Sequence, residues 1–115
     1  MRISTRTRGD VTILDLEGGL VAGDGDRELR AELERLIDDG AEAILVNFEK
    51  VRRMDSSGIG ELVAGWKRGR ALGVRVAILR PGDRVRHTLH LSQILPLLEV
   101  YEDETEALGA LRGAG

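Results

Sequence analysis

The chain contains no cysteine. That excludes disulfides, thiol catalysis and thiolate-ligated metal sites, and it accords with a cytoplasmic protein. Aromatic residues are only 3% of the 115. The core must then be built from Leu, Val, Ile and Ala, and no platform of stacking aromatics exists for nucleic acid. Net charge is −3, with arginine and acidic residues interspersed. No basic patch stands out in the linear sequence, so neither DNA nor RNA is an expected partner. No apolar run approaches the ~18 residues of a membrane span, and Met1-Arg2-Ile3-Ser4-Thr5-Arg6 has no apolar signal core. The expectation is a soluble, cytoplasmic protein.

What is present is enough for a packed domain. The composition is 42% hydrophobic and 32% charged, which does not fit disorder. The length predicts one domain over residues 1–115 with a real core.

Arg2–Arg8 and Val11–Glu17 flank Gly9-Asp10, which suits a type II′ turn. They read as an antiparallel hairpin with a polar edge strand. Gly18, Gly19, Gly23 and Gly25 form a connection, after which Asp24 or Asp26 caps a helix. Leu29, Leu33, Leu36 and Ile37 share one face of that helix and Gly40 ends it. Ala43–Phe48 is nearly continuous and apolar, the pattern of a central strand covered on both faces.

A loop follows that strand and leads into a helix from about Ser57 to Leu72. Gly65 and Gly69 are expected to let that helix approach the sheet. Gly73 closes it and Val74–Leu79 forms a further strand, parallel to the central one. Asp83 caps a short helix. Leu91–Leu98, interrupted by Pro96, reads as an irregular helix end, with Leu91, Ile94, Leu95 and Leu98 packing at the edge of the core. Val100-Tyr101 reads as a last short strand. Asp103 and Glu106 form a capping box for a terminal helix carrying Ala107, Leu108 and Leu111. The fold class is α/β: a mixed sheet with an N-terminal antiparallel hairpin and flanking helices.

Enzyme templates fail on this chain. Gly58-Ile59-Gly60 begins a dinucleotide fingerprint, but Val63 stands at its third glycine, and no phosphate-binding GxxxxGK[ST] loop or GxSxG elbow occurs. His87 and His90 share a helix face, where metal ligation would need at least another ligand; Asp83 could contact His87 at i,i+4, but polar surface residues are the preferred reading and no metal is expected. A phosphoaspartate receiver centred on Asp55 needs a lysine near a late strand, and Lys50 and Lys67, the only lysines, lie elsewhere.

The informative stretch is Met54-Asp55-Ser56-Ser57-Gly58-Ile59-Gly60-Glu61, where a buried strand hands over to a helix. Open α/β sheets place functional loops at such junctions. This stretch resembles the Asp-Ser-[Ser/Thr]-Gly-[Leu/Ile]-Gly signature of bacterial anti-sigma-factor antagonists, which are stand-alone STAS domains. The resemblance extends over nearly the whole element order.

It implies a non-enzymatic switch protein without a cofactor. The unphosphorylated antagonist binds an anti-sigma factor of GHKL-type serine kinase fold and so frees a sigma factor. That kinase phosphorylates the hydroxyl following the Asp, here Ser56 in preference to Ser57, and a PP2C-type phosphatase reverses it. Met54, Asp55, Ser56, Ser57, Gly58, Ile59, Gly60 and Glu61 would then form the switch loop and partner surface. The facing acidic residue, which many antagonists carry in a Leu-Asp pair, is displaced here to Asp24 or Asp26. The same resemblance admits a scaffold or accessory STAS subunit of a stress-signalling or lipid-transport complex.

Phosphate on Ser56 adds about −1.5 to −2 charges at a helix N-terminus, where free amides and the dipole favour anions. Asp55 opposes it as a like charge. Ser57 is expected to hydrogen-bond the helix start. Gly58 and Gly60 are expected to keep the loop open to a kinase. Arg52, Arg53, Glu61 and Arg68 are candidate rim contacts, and Trp66 is expected in the core.

Overall fold

Strands β1 (Arg2–Arg8) and β2 (Val11–Leu20) form the expected hairpin, with Arg8 opposite Val11 and Gly9 at φ +59° in the turn. The computed structural model describes residues 1–112. Helix α1 (Asp26–Asp38) leads to β3 (Ala43–Met54), and α2 (Ser56–Ala71) to β4 (Arg75–Leu79). Helix α3 (Asp83–Leu91), a 3-10 turn (Leu95–Leu97), β5 (Glu99–Tyr101) and α4 (Glu104–Leu111) complete the chain. The sheet order is β1-β2-β3-β4-β5, with only the β1–β2 pair antiparallel. No helix of the described residues is long and apolar enough to cross a membrane.

The alternation of side chains along the strands builds two cores. Leu14, Leu16, Ile44, Val46, Phe48, Val76 and Ile78 pack under α1, α2 and α3. Val11, Ile13, Ala43, Leu45, Ala77 and Leu79 pack under α4. The core is almost wholly aliphatic, as the scarcity of aromatics required. Trp66 is half-buried at its margin, with the Arg70 guanidinium 5.5 Å from its ring centroid.

Several expectations are corrected. β3 continues to Met54, six residues beyond the Phe48 at which the sequence predicts that the strand gives way to a loop. Its ladder with β2 slips twice, so that Asp15–Glu17 faces Asn47–Lys50 and Gly18–Gly19 faces Val51–Arg53. Each slip places one extra residue on β3, a β-bulge. Phe48, Val51 and Met54 can thus all point into one core at intervals of three. α1 is capped by neither Asp24 nor Asp26. The cap is Gly25 at φ +91°, a conformation that disfavours residues with a Cβ. An added Cβ there would also lie 2.8 Å from the Gly19 carbonyl oxygen. Leu91 is 67% exposed and not part of the core edge, while Ile94, Leu95 and Leu98 do pack against it. Asp103 caps α4 as expected, accepting from the Glu106 amide at 2.9 Å.

Gly69 does meet the sheet, but Gly65 faces α1. A Cβ on Gly65 would sit 2.4 Å from Leu33 Cδ1, and Leu33 is fully buried. Gly65→Ala is therefore expected to cost about 1–3 kcal/mol in urea unfolding, an overpacking penalty. Leu33→Ala alone leaves a cavity and costs about 2–5 kcal/mol. The double variant should be less destabilised than the sum of the two by about 0.5–3 kcal/mol, because each change relieves the other. Simple additivity would show that the two helices do not touch there.

On the α4 side, Arg6 donates to Asp15 at 2.6 Å and to Glu104 at 3.0 Å, and Asn47 donates to Asp15 at 2.8 Å. This network ties β1, β2, β3 and α4 together. The Arg6 guanidinium holds the Asp15 and Glu104 carboxyls below their usual range. Such depressed carboxylates stabilise the fold above their unfolded pKa values near 4, and that stabilisation is lost as pH falls through the lower, folded values. Arg6→Gln is expected to lower stability at pH 7 by about 1–2 kcal/mol, since these side chains are one-third exposed and water screens them. It should also move the acid-unfolding midpoint upward. An unchanged acid limb by circular dichroism would show that the network does not carry it.

Candidate functional site

β3 delivers the chain to Asp55, and α2 begins at the next residue. Asp55 is extended (φ −109°, ψ −172°) and is the helix cap. Its Oδ1 accepts from the amides of Ser57 at 3.0 Å and Gly58 at 3.1 Å. Its Oδ2 accepts from the Ala22 amide at 3.0 Å, and its own amide donates to the Leu20 carbonyl at 3.3 Å. One carboxylate thus joins the start of α2 to the turn that follows β2. These amide donors, Ala22 first, then Gly58 and Ser57, hold the Asp55 carboxyl below its ordinary pKa. It is therefore ionised at neutral pH.

Ser56 is the first residue of α2 and is exposed; Ser57 is half-buried. Neither hydroxyl makes a hydrogen bond among the described residues, and it is the Ser57 backbone, not its side chain, that binds the cap. The expectation of free amides also needs correcting. The Ser57 and Gly58 amides are already held by Asp55 and the Ile59 amide by the Asp55 carbonyl at 3.0 Å.

The glycines of the signature differ in role. Gly60 is exposed, with nothing within 4 Å of an added Cβ. Gly58 is buried, and its Cβ would fall 2.2 Å from the Leu20 carbonyl oxygen. Gly58 thus serves close packing rather than an open approach.

Met54 and Ile59 are buried in the core and position the loop from beneath. Glu61 accepts from Arg30 of α1 at 3.1 Å and Arg68 donates to Asp38 at 2.8 Å, so both are tied to α1. Asp24 lies in the turn that Asp55 clamps, and its own carboxylate accepts from the Met1 amine at 2.8 Å. Asp26 opens α1 and accepts from the Arg27 amide at 2.9 Å. No hydrogen bond or ion pair among the described residues joins either acid to Asp55, Ser56 or Ser57. Leu20 and Ala22 are the contributors that sequence reasoning missed. They act through backbone atoms, which leave no side-chain signature.

His87 and His90 line a surface hollow of about 310 Å³ with Asp83, Arg86 and Leu95. No group of three potential ligands is gathered for a metal among the described residues.

The site is thus an exposed serine, unpartnered among the described residues, on a capped helix start at the C-terminal end of β3. The chain belongs to the STAS domain family, whose model matches residues 2–107. It is similar over 97% of both chains to the anti-sigma factor antagonist SpoIIAA in its unphosphorylated form, with 29% identity and a TM-score of 0.81. It is also similar to the phosphorylated form of SpoIIAA, the Bacillus cell fate determinant, with 26% identity and a TM-score of 0.74, covering 96% of this chain and 100% of that one. TM1081 of Thermotoga maritima shares the fold at a TM-score of 0.88 and 21% identity, with 96% and 94% of the chains covered. No curated protein matches the sequence significantly.

Proposed function

We propose that this protein is an anti-sigma-factor antagonist whose partner binding is switched off by phosphorylation of Ser56. The unphosphorylated form binds an anti-sigma factor of GHKL-type serine kinase fold in the cytoplasm and releases a sigma factor. The kinase transfers phosphate to the Ser56 hydroxyl, and a PP2C-type phosphatase removes it. The protein is substrate and ligand in this cycle, not a catalyst.

The observation that carries this reading is the Ser56 hydroxyl. It is exposed at the first position of α2 and has no hydrogen-bond partner among the described residues, while Asp55 does the structural work of capping. The serine is therefore free for another use. The similarity to SpoIIAA, known in both phosphorylation states, supports the same assignment.

The test is paired affinity capture from a native-host lysate with wild type, Ser56→Ala and Ser56→Asp as baits. Wild type and Ser56→Ala are expected to retain a kinase of GHKL fold that Ser56→Asp does not. Retention of one large assembly by all three baits would instead make the protein a scaffold subunit and Ser56 a bystander.

A further inference from the structure

Arg52, Arg53 and Arg84 converge on one hollow of about 360 Å³ beside the Ser56 loop, floored by Gly18 and Gly19 and rimmed by Asp24. All three arginines are exposed, and none enters an ion pair among the described residues. In a chain of net charge −3, where Arg6, Arg30, Arg35, Arg68, Arg75 and others are paired, this is a local excess of bare positive charge. The second slip of the β2–β3 ladder creates it. Consecutive strand residues ordinarily point to opposite faces. The extra residue between Val51 and Arg53 breaks that alternation, so Arg52 and Arg53 both line the hollow. Arg84, in the first turn of α3, closes it from the other side.

We propose that Arg52, Arg53 and Arg84 form a docking site for a carboxylate-rich stretch of the partner protein. The inference rests on the reading that a partner covers the Ser56 loop. Arg53 lies two residues before Asp55, and Gly19 opposite it lies one before Leu20, whose carbonyl holds the Asp55 amide. A partner seated on Ser56 therefore spans the hollow as well. Three guanidiniums gathered on one hollow offer several charge-assisted contacts at once, which a run of carboxylates can use together. Exposed guanidiniums facing acidic side chains act mainly by steering encounter and fixing orientation.

The experiment titrates the isotope-labelled full chain at low ionic strength with a hexaglutamate peptide and, separately, with inorganic phosphate, followed by NMR. The peptide is expected to give saturable shifts at Gly18, Gly19, Arg52, Arg53 and the arginine side chains. Arg53→Gln/Arg84→Gln should weaken it about tenfold through the loss of two exposed ion pairs, while Arg2→Gln/Arg8→Gln on β1 leaves it unchanged. Equal weakening by both pairs would reduce the effect to diffuse attraction and overturn the proposal. Saturable phosphate binding without peptide binding would overturn it in favour of a small-oxyanion site. The peptide carries no switch, so its failure alongside Ser56-dependent capture removes the docking site and leaves the antagonist reading standing. Peptide binding without such capture removes the switch instead.

Discussion

Gly58→Ala is expected to destabilise the protein by about 3 kcal/mol or more, at or above the top of the usual ~1–3 kcal/mol for overpacking. The new methyl would lie 2.2 Å from the Leu20 carbonyl oxygen and 2.9 Å from both Leu20 Cγ and Met54 Cγ. Leu20 is fully buried and Met54 nearly so, so neither side chain can swing away. The nearest atom is backbone at the end of β2, and moving it also disturbs the Leu20–Asp55 hydrogen bond and the Ala22 amide that Asp55 holds. Gly60→Ala is the internal control. Its Cβ meets nothing within 4 Å, and replacing a helical glycine by alanine gains roughly 0.5–1 kcal/mol. Urea midpoints should thus move in opposite directions for the same chemical change two residues apart. A loss at Gly58 no larger than at an exposed site would mean that the helix start does not rest on Leu20.

Ser56→Asp is expected to lower affinity for the anti-sigma partner by more than about a hundredfold, equivalent to ~3 kcal/mol, with stability changed by no more than ~0.5 kcal/mol. The two readouts separate for a structural reason. Ser56 is exposed, and its hydroxyl makes no hydrogen bond among the described residues, so no contact among them depends on it. A negative charge at the first turn of α2 is favoured by the helix dipole. It is opposed by the ionised Asp55 next door, which already occupies the Ser57 and Gly58 amides. The balance is close to zero in water. At a desolvated interface the added charge has no such compensation. Isothermal titration against the captured kinase gives the affinity and thermal unfolding gives the stability. A large loss of melting temperature together with the loss of binding would mean that Ser56→Asp acts by damaging the fold.

The capped helix start that holds the candidate site was legible in the sequence because its signals are local. A Ser-Ser-Gly run following an Asp and a hydrophobic strand marks a capped helix start, and the capping geometry depends on a few adjacent residues. The role of Gly58 was not legible. Glycine in a signature reads equally well as openness or as close approach, and only the position of Leu20, thirty-eight residues earlier in sequence, separates the two.

The sequence by itself determined the element order, the aliphatic core and the buried face of α1, because the 3.6-residue period follows from backbone geometry alone. It also determined that Asp55 precedes a helix. Tertiary structure decided what depends on register and on backbone partners. Two bulges convert Phe48, Val51 and Met54 into one buried row and turn Arg52 and Arg53 to one hollow. A spacing of three looks like neither strand nor helix until the neighbouring strand is in place. The Ala22–Asp55 hydrogen bond and the Gly25 cap likewise join main-chain groups. Every residue but proline carries the same amide donor, so composition says nothing about which one will be used.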